Sequence, residues 1–277
     1  MQTLELLSKQ TIPVLGMGTW QMGENKRDFQ TEVAALRHGL DLGLSLIDTA
    51  EMYGEGGAEE VIAEAIVDRR AEIFLVSKVY PHNASKRGAI AACECSLKRL
   101  KTDYLDLYLL HWRGAVPLAE TLEAFQTLQQ AGKIRSYGVS NFDTEDMQEA
   151  AALKGGNEIV TNQVLYNLTR RGIEWDLLPW CRQHRIPIMA YSPIEQGRLL
   201  HHRSLQTIAQ ERNVTVAQIA IAWLLHQENV IVIPKASRIE HIEQNYAALD
   251  LDLSPEELAM LDATFPPPTQ PVPLQML

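Results

Sequence analysis

The chain has 277 residues, of which 46% are hydrophobic and 22% are charged, and its formal net charge is -10 at pH 7. These fractions are ordinary for a globular protein and argue against extensive disorder. The net negative charge argues against a nucleic-acid partner and against an anionic membrane, although a local basic pocket for a phosphate group is compatible with it. The length allows one barrel domain or two smaller domains.

The cysteines and the first residues indicate a reducing compartment. Cys93 and Cys95 are two residues apart on a predicted helix, where their side chains point in different directions. Neither a disulfide framework nor a zinc-binding spacing follows, so we expect no metal. Segment 1–13 lacks the apolar core of a secretory signal, and no apolar run reaches the ~20 residues that a membrane helix needs. We therefore expect a cytoplasmic protein.

The chain begins with a predicted β-hairpin, residues 4–7 and 11–13, and then alternates between strands and helices. The eight strands predicted after the hairpin are apolar runs at 14–20, 44–48, 73–79, 105–110, 134–140, 159–164, 186–191 and 230–233. The predicted helices follow the helical spacing of apolar residues, at 29–40, 58–66, 90–100, 118–132, 146–153, 173–184, 216–225, 239–249 and 255–261. The stretch between 191 and 216 is predicted to be a loop.

Eight strands joined by helical crossovers favour an α/β protein of the (β/α)8 TIM barrel type, because right-handed βαβ units in series close most simply in this way. We expect residues 1–277 to form a single such domain with a short N-terminal β-hairpin. The alternative is a doubly wound open sheet, but Gly16-Met17-Gly18 is not followed by the third glycine that its fingerprint requires. The Pro-rich tail, residues 266–277, is predicted to lie on the surface, and a lid over a site is the alternative.

Four polar residues are predicted to meet at the rim of this barrel where the carboxyl ends of the strands gather. Three successive strands end at or beside Asp48, Lys78 and His111, and Tyr53 follows the first of these. Singly, Asp48 is typical of a turn, His111 of a satisfied core residue and Tyr53 of the surface. A lysine within an apolar strand is costly to bury without a carboxylate partner, and Asp48 is the natural partner of Lys78.

This group of residues suggests proton transfer to an oxygen atom. A tyrosine is protonated at neutral pH, because its reference pKa is about 10, and an adjacent ammonium group would lower that pKa toward the working range. We expect Lys78 to act on Tyr53 in this way while Asp48 holds Lys78. His111 is expected to orient a carbonyl oxygen. Reduction of a carbonyl also needs a hydride source, which implies a cofactor.

Short motifs in a specific order and spacing extend over most of the chain. They are Gly16-Met17-Gly18-Thr19-Trp20, the run 48–54 with Gly57-Ala58-Glu59, the stretch 97–111 with Asp103-Tyr104-Leu105-Asp106, Gly138-Val139-Ser140-Asn141-Phe142, Asn162-Gln163, Tyr191-Ser192-Pro193 and Ile233-Pro234-Lys235. In these motifs the sequence resembles the aldo-keto reductase family, and most closely the bacterial members that reduce methylglyoxal and other small aldehydes.

The resemblance implies an NADPH-dependent reductase of small carbonyl compounds. It assigns Tyr53 as the general acid, Lys78 and Asp48 as the residues that tune it, and His111 as the residue that places the carbonyl. Ser140, Asn141 and Gln163 would bind the nicotinamide amide, and Tyr191 would stack on the ring. The full set of cofactor-binding residues that it implies is Gly18, Thr19, Trp20, Asp48, Ser140, Asn141, Gln163, Tyr191, Ser192, Pro193, Gly197, Lys235, Ser237, Arg238, Gln244 and Asn245.

The preference for NADPH over NADH depends on Lys235, Ser237 and Arg238, because two cations and a hydroxyl suit a 2′-phosphate. A solvated start of a helix is the alternative interpretation of these residues. His241 departs from the family pattern, in which an arginine is common at this place. We expect NADPH to be the cofactor, with NADH less favoured.

The resemblance also assigns Trp20, Tyr53, His111 and Trp112 to the substrate pocket. Because the stretch 112–117 is short and the tail is brief, we expect a shallow pocket for small aldehydes, including 2-oxoaldehydes. A monomer or a weak oligomer is expected.

Two other functions use the same residues: a nucleotide-sensing module that reports redox state, and an alcohol dehydrogenase that works mainly in the oxidative direction.

Overall fold

The computed structural model describes residues 2–277. Its strands are β1 Thr3–Glu5, β2 Thr11–Pro13, β3 Gly16–Gly18, β4 Leu46–Asp48, β5 Phe74–Val79, β6 Leu105–Leu110, β7 Ile134–Ser140, β8 Ile159–Leu165, β9 Ile188–Tyr191 and β10 Val230–Val232. Its α-helices are α1 Phe29–Asp41, α2 Gly57–Ala65, α3 Lys86–Leu100, α4 Leu118–Gln130, α5 Thr144–Ala152, α6 Leu177–Gln183, α7 Arg203–Glu211, α8 Val216–Leu225, α9 Ile239–Ala247 and α10 Pro255–Thr264. Short 3-10 helices lie at Tyr53–Gly56, Arg70–Glu72, Pro81–Asn83, Gly156–Glu158, Gly172–Glu174, Glu195–His201 and Ala248–Asp250.

Strands β3 to β10 form one parallel sheet in sequence order. The sheet closes where β3 meets β10 and the residues just after it, through isolated bridges between Leu15 and Val232 and between Gly18 and Lys235. The backbone N–H of Gly18 donates to the carbonyl of Pro234 at 3.0 Å across this seam. The predicted (β/α)8 TIM barrel is therefore confirmed.

The N-terminal hairpin is also present, with β1 antiparallel to β2. Its Leu6 and Ile12 are fully buried and pack with the residues that fill the inside of the barrel, among them Leu46 and Val76 near the beginning of their strands. The hairpin therefore covers the amino-terminal end of the barrel. The carboxyl ends of the strands are left to form the site.

Alternation along the strands decides which side chains point inward, because successive side chains lie on opposite faces. In β5, Phe74 and Val76 belong to the inner core, while Leu75 and Val79 pack under the helices. Lys78 has the parity of Val76 and so points into the barrel. In the same way Asp48 has the parity of Leu46, which lies in the inner core.

Side-chain caps fix where several helices begin. Reciprocal capping boxes join Asp143 to Asp146, Thr215 to Gln218 and Ser254 to Glu257, at the starts of α5, α8 and α10. Each box satisfies backbone N–H groups that the first turn leaves without a partner. Within residues 2–277, every helix is too short or too polar to span a lipid bilayer.

Two predicted elements differ from the structure. The predicted helix at 173–184 is divided, with a 3-10 turn at Gly172–Glu174 and an α-helix only from Leu177, where the Asp176 carboxylate accepts from the Leu177 N–H at 2.7 Å. The predicted loop between 191 and 216 contains helix α7, whose Leu205, Ile208 and Ala209 form a buried face. Its spacing of apolar residues is helical, but its N-terminal His202 provides no side-chain cap to mark the start.

Candidate active site

Asp48 and Lys78 meet inside the barrel at the end of β4 and in β5. Lys78 is fully buried and Asp48 is 2% exposed. The Lys78 Nζ donates to Asp48 Oδ2 at 2.8 Å and to the Thr49 carbonyl at 2.7 Å. The expected pairing of the lysine with Asp48 is thus present in the structure, and it compensates for the burial of both charges.

The third hydrogen bond of this ammonium group goes to Tyr53. Lys78 Nζ lies 3.3 Å from the Tyr53 hydroxyl oxygen. Because the lysine donates and the tyrosine oxygen accepts, the Tyr53 proton is free to point elsewhere. Tyr53 is half-buried and lines the cavity described below, so that proton is available to a group in the cavity.

The turn that carries Tyr53 depends on the next residue, Gly54, which has a φ of 58°. A Cβ atom at Gly54 would lie 2.9 Å from the Met22 carbonyl oxygen. A side chain there is therefore excluded both by the left-handed backbone and by the close approach of Met22. The glycine lets the chain turn sharply after β4 and brings the phenol of Tyr53 over Lys78.

The electrostatics of this group differ in one respect from the sequence-based expectation. Burial and then the nearby Asp48 carboxylate raise the pKa of Tyr53 well above 10.0, so Lys78 does not lower it toward neutrality. Burial also lowers the pKa of Lys78, and the Asp48 and Glu59 carboxylates oppose that effect. The expected lowering of the Tyr53 pKa was wrong because desolvation of the phenolate, which no sequence pattern reveals, dominates.

His111 follows β6 and packs beside the tyrosine, with ring centroids 5.7 Å apart. Burial and then the Lys78 charge lower the pKa of His111 to about 2, so the imidazole is neutral. Its buried Nδ1 has no hydrogen-bond partner among residues 2–277. Leaving a bare lone pair there costs less than burying an unpaired N–H, so we assign the proton to Nε2. His111 then offers an N–H to the cavity.

Four residues predicted to bind a nicotinamide amide and ring form a second hydrogen-bonded group. Gln163 Nε2 donates to Asp48 Oδ1 at 2.7 Å, and Tyr191 donates to Asn141 Oδ1 at 2.9 Å. The Ser140 hydroxyl donates to the Gln163 carbonyl at 2.8 Å. Burial raises the pKa of Tyr191 to about 12, so its ring is neutral at physiological pH. These groups link the cofactor-type residues directly to the Asp48 carboxylate.

A cavity of about 530 Å³ lies beside both groups. The structure brings twelve of the sixteen predicted cofactor-binding residues to its wall, namely Gly18, Thr19, Trp20, Asp48, Ser140, Asn141, Gln163, Tyr191, Ser192, Pro193, Gly197 and Lys235. The predicted substrate residues Trp20, Tyr53, His111 and Trp112 also line it. Lys78 does not, because it lies fully buried behind Asp48 and Tyr53.

The remaining predicted cofactor residues lie outside the wall of this cavity. Ser237 accepts a hydrogen bond from Lys235 Nζ at 3.3 Å, and Arg238 is the exposed residue that precedes α9. Gln244 and Asn245 lie further along that helix, and Asn245 is buried. Lys235 therefore connects the cavity to a polar surface at the start of α9.

Sequence reasoning missed several residues of the site. The cavity wall also contains Gln21, Met52, Ile194, Gln196, Ile233, Met276 and Leu277. Met52 directly precedes Tyr53, and this position in the sequence could have indicated that Met52 also borders the site. Glu51, to which no role was given, accepts from the Tyr80 N–H at 2.7 Å and from Asn83 Nδ2 at 3.1 Å, and so joins the loops after β4 and β5.

The Pro-rich tail lies on the surface, with most of residues 266–277 exposed, and its end borders the site. It leaves α10 at Phe265, whose carbonyl accepts from Arg171 Nη1 at 2.6 Å, and Val272 then packs against Gly172. Met276 and Leu277 reach the wall of the cavity. The tail is therefore a surface segment, as predicted, whose last two residues also border the cavity, so that the expected shallow pocket has an additional wall.

Comparison with known proteins agrees with this geometry. A sequence profile of the Aldo/keto reductase family matches residues 14–265. Methylglyoxal reductase YeaE from Escherichia coli (strain K12) is 54% identical over 272 residues, which are 96% of this chain and 96% of that protein.

Two solved structures from Klebsiella pneumoniae are similar over almost the whole chain. An aldo/keto reductase in complex with NADP and acetate has 54% sequence identity and a TM-score of 0.97, with 99% of each chain covered. An aldo-keto reductase in complex with NADPH has 53% identity and a TM-score of 0.97, with 100% of this chain and 99% of the other covered. The resemblance found in the motifs is confirmed: the chain is an enzyme that belongs to the aldo/keto reductase family.

Proposed function

We propose that the chain reduces small aldehydes and ketones to alcohols, with hydride from NADPH and the proton from Tyr53. The observation that carries the proposal is the buried line Asp48, Lys78 and Tyr53, in which the lysine donates to the phenol oxygen and leaves the phenol proton free beside the cavity. Substrates of this class include methylglyoxal, other 2-oxoaldehydes and aromatic aldehydes.

The residues around the cavity fit an NADPH molecule. The neutral ring of Tyr191 offers a stacking face, and the amides of Asn141 and Gln163 offer the donors and acceptors that a carboxamide needs. At the other end, Lys235, Ser237 and Arg238 would bind the 2′-phosphate. NADPH, when bound, supplies a hydride to the carbonyl carbon. The NADP and NADPH complexes of the similar Klebsiella pneumoniae proteins support this assignment.

The protein supplies the proton and holds the carbonyl oxygen. Tyr53 keeps its proton at neutral pH because its pKa is raised. A carbonyl oxygen that accepts from both the Tyr53 O–H and the His111 Nε2–H is polarised as its carbon gains electrons. When the proton passes to that oxygen, the phenolate is stabilised by the adjacent Lys78 ammonium group. The carbon has then gained a hydride and the oxygen a proton, which gives the alcohol.

The substrate class is supported by the walls of the cavity. Trp20, Met52 and Trp112 provide apolar surface on the barrel, and Met276 and Leu277 add the tail. The apolar character of these five residues suits a small carbonyl compound better than a polyhydroxylated sugar. The name of the similar Escherichia coli protein, methylglyoxal reductase, points to the same class.

The experiment is a cofactor-oxidation assay of the purified protein with methylglyoxal and with an aromatic aldehyde. We expect many turnovers of NADPH per protein molecule and a lower kcat/KM with NADH. The Tyr53→Phe variant is the matched control, because it removes only the donor hydroxyl. Binding of NADPH without turnover would favour a nucleotide-sensing module instead. If the protein oxidised alcohols with NADP faster than it reduced the aldehydes with NADPH, an oxidative dehydrogenase would be favoured. Either result would overturn the proposal.

A further inference from the structure

The loop Ser192–Gly197, here called the wall loop, follows β9 and forms one side of the cavity. Ser192, Pro193, Ile194, Gln196 and Gly197 all line the cavity. The backbone of the loop is unusual, because Ser192, Glu195 and Gln196 have φ values of 50°, 50° and 53°. Residues with a side chain avoid this left-handed region, so something must hold the loop in place.

Glu195 is the one residue of the wall loop that does not line the cavity, and it is 3% exposed. Its Oε1 accepts from Arg170 Nε at 2.9 Å and from Arg170 Nη2 at 2.7 Å. Arg198 Nη1 donates to the same oxygen at 3.1 Å. Its Oε2 accepts from Asn167 Nδ2 at 2.8 Å. Both oxygens therefore accept hydrogen bonds, and the negative charge is matched by the guanidinium groups of Arg170 and Arg198.

The partners of Glu195 belong to a different strand connection. Asn167 and Arg170 lie in the turn after β8, which is closed by a bridge between these two residues and by the Arg170 N–H to Asn167 carbonyl bond of 2.9 Å. Asn167 Nδ2 also donates to the Ser192 carbonyl at 2.9 Å, at the first residue of the wall loop. The turn thus holds the wall loop at Ser192 and at Glu195, two of its three left-handed residues with a side chain.

From these contacts we propose that Glu195 is a positioning residue that latches the wall loop to the turn after β8 and thereby sets the affinity for the cofactor. The inference rests on the proposed function, because it takes the cavity to be the NADPH site. The Glu195 carboxylate does not line the cavity, and its hydrogen bonds go to Asn167, Arg170 and Arg198 rather than to Tyr53 or His111. Loss of the latch therefore lets the wall loop relax toward ordinary backbone angles and move, while the proton donor and its partners stay in place.

The test is to measure the NADPH dissociation constant and the single-turnover rate at saturating NADPH for Glu195→Ala and Glu195→Gly. We expect the dissociation constant to rise at least ~10-fold, the scale of losing a buried charged pair, in both variants. The single-turnover rate should change by less than ~2-fold, because no group that touches the carbonyl is altered. The glycine variant suits a φ of 50° without strain, so it remains informative if the alanine variant does not fold.

The chain offers a matched control in the neighbouring ion pair. Glu174 accepts from Arg171 Nε and Nη2, both at 2.8 Å, and 15% of its side chain is exposed against 4% for Glu195, but it has no hydrogen bond to the wall loop among residues 2–277. Glu174→Gln should lower thermal stability and leave the NADPH dissociation constant unchanged.

Arg170→Met should raise the NADPH dissociation constant as much as Glu195→Ala does. The double variant should raise it no further than either single variant, because the two residues act as one contact. A folded Glu195→Gly protein that binds NADPH as tightly as the wild type would overturn the inference while leaving the proposed function intact. Failure of the wild-type protein to bind NADPH would instead overturn the proposed function and the inference with it.

Discussion

The ammonium nitrogen of Lys78 lies 3.3 Å from the hydroxyl oxygen of Tyr53 and 4.8 Å from the centroid of its ring. The same cation therefore touches both the acidic group and the π system of one side chain. It stabilises the phenolate that forms when the proton leaves, and the ring face adds a cation–π contact to the neutral state. The chemistry assigned to Tyr53 consequently depends on a residue that substrate never reaches.

Removal of the Tyr53 hydroxyl tests the proton donor directly. In Tyr53→Phe we expect kcat to fall by at least ~100-fold, the scale of a lost general acid, while the NADPH dissociation constant stays within ~2-fold. Steady-state rates and fluorescence titration of NADPH measure the two quantities. A variant with near-normal turnover would show that the proton comes from elsewhere.

Replacement of Lys78 by methionine keeps the length of the side chain and removes the charge. We expect kcat to fall by about 100-fold, and we expect the alkaline decline of activity to move to higher pH, because the phenolate loses its cation. Burial of Asp48 without its partner also destabilises the protein, so thermal unfolding must be followed in parallel. An alkaline decline at the same pH as in the wild type would contradict the role given to Lys78.

His111 should make the stability of the protein depend on pH. Its pKa in the folded state is lowered from 6.5 to about 2, so the unfolded chain takes up the proton first as the pH falls. The neutral imidazole therefore favours the folded state above pH 6.5, and this advantage is lost progressively below that pH. The resulting loss in the free energy of unfolding is about 2 kcal/mol between about pH 7 and about pH 5.

The measurement for His111 is the free energy of unfolding by urea at those two pH values. His111→Gln removes the titrating group, and we expect the difference between the two pH values to shrink by most of this amount. Equal pH differences in the wild type and the variant would mean that His111 takes up its proton over the same pH range in the folded and the unfolded protein.

The tail should control which aldehydes enter. Deletion of residues 272–277 removes Met276 and Leu277 from the cavity wall, together with the contact of Val272 with Gly172. We expect KM for methylglyoxal to rise and the relative kcat/KM for bulky aromatic aldehydes to increase by about 10-fold, the scale of a lost apolar wall. An unaltered ratio between small and bulky substrates would assign the tail a purely structural role.

The residues at the strand ends show how far sequence alone can reach. The apolar strands and their helical crossovers predicted the barrel, and the cost of burying Lys78 predicted its pairing with Asp48. By contrast, the raised pKa of Tyr53 depends on how deeply the phenol is buried. The contact of Leu277 with the cavity joins residues far apart in sequence, and α7 has only a short apolar face and no capping side chain. The burial of Tyr53 and the contact of Leu277 arise from tertiary packing and leave no local pattern, whereas α7 has a helical spacing of apolar residues but lacks a capping residue that would mark its start.

The seam where β3 meets β10 and the residues just after it is expected to open more readily than the rest of the barrel. Strands β5 and β6 share a continuous ladder, whereas here isolated bridges at Leu15 and Gly18 join the sheet. The amide protons of the seam should therefore exchange with solvent before those of β5 and β6. Gly18 and Lys235, which face each other across the seam, also line the cavity. A molecule that binds both Gly18 and Lys235 would stabilise the closed barrel. Amide hydrogen exchange would then slow in all the strands.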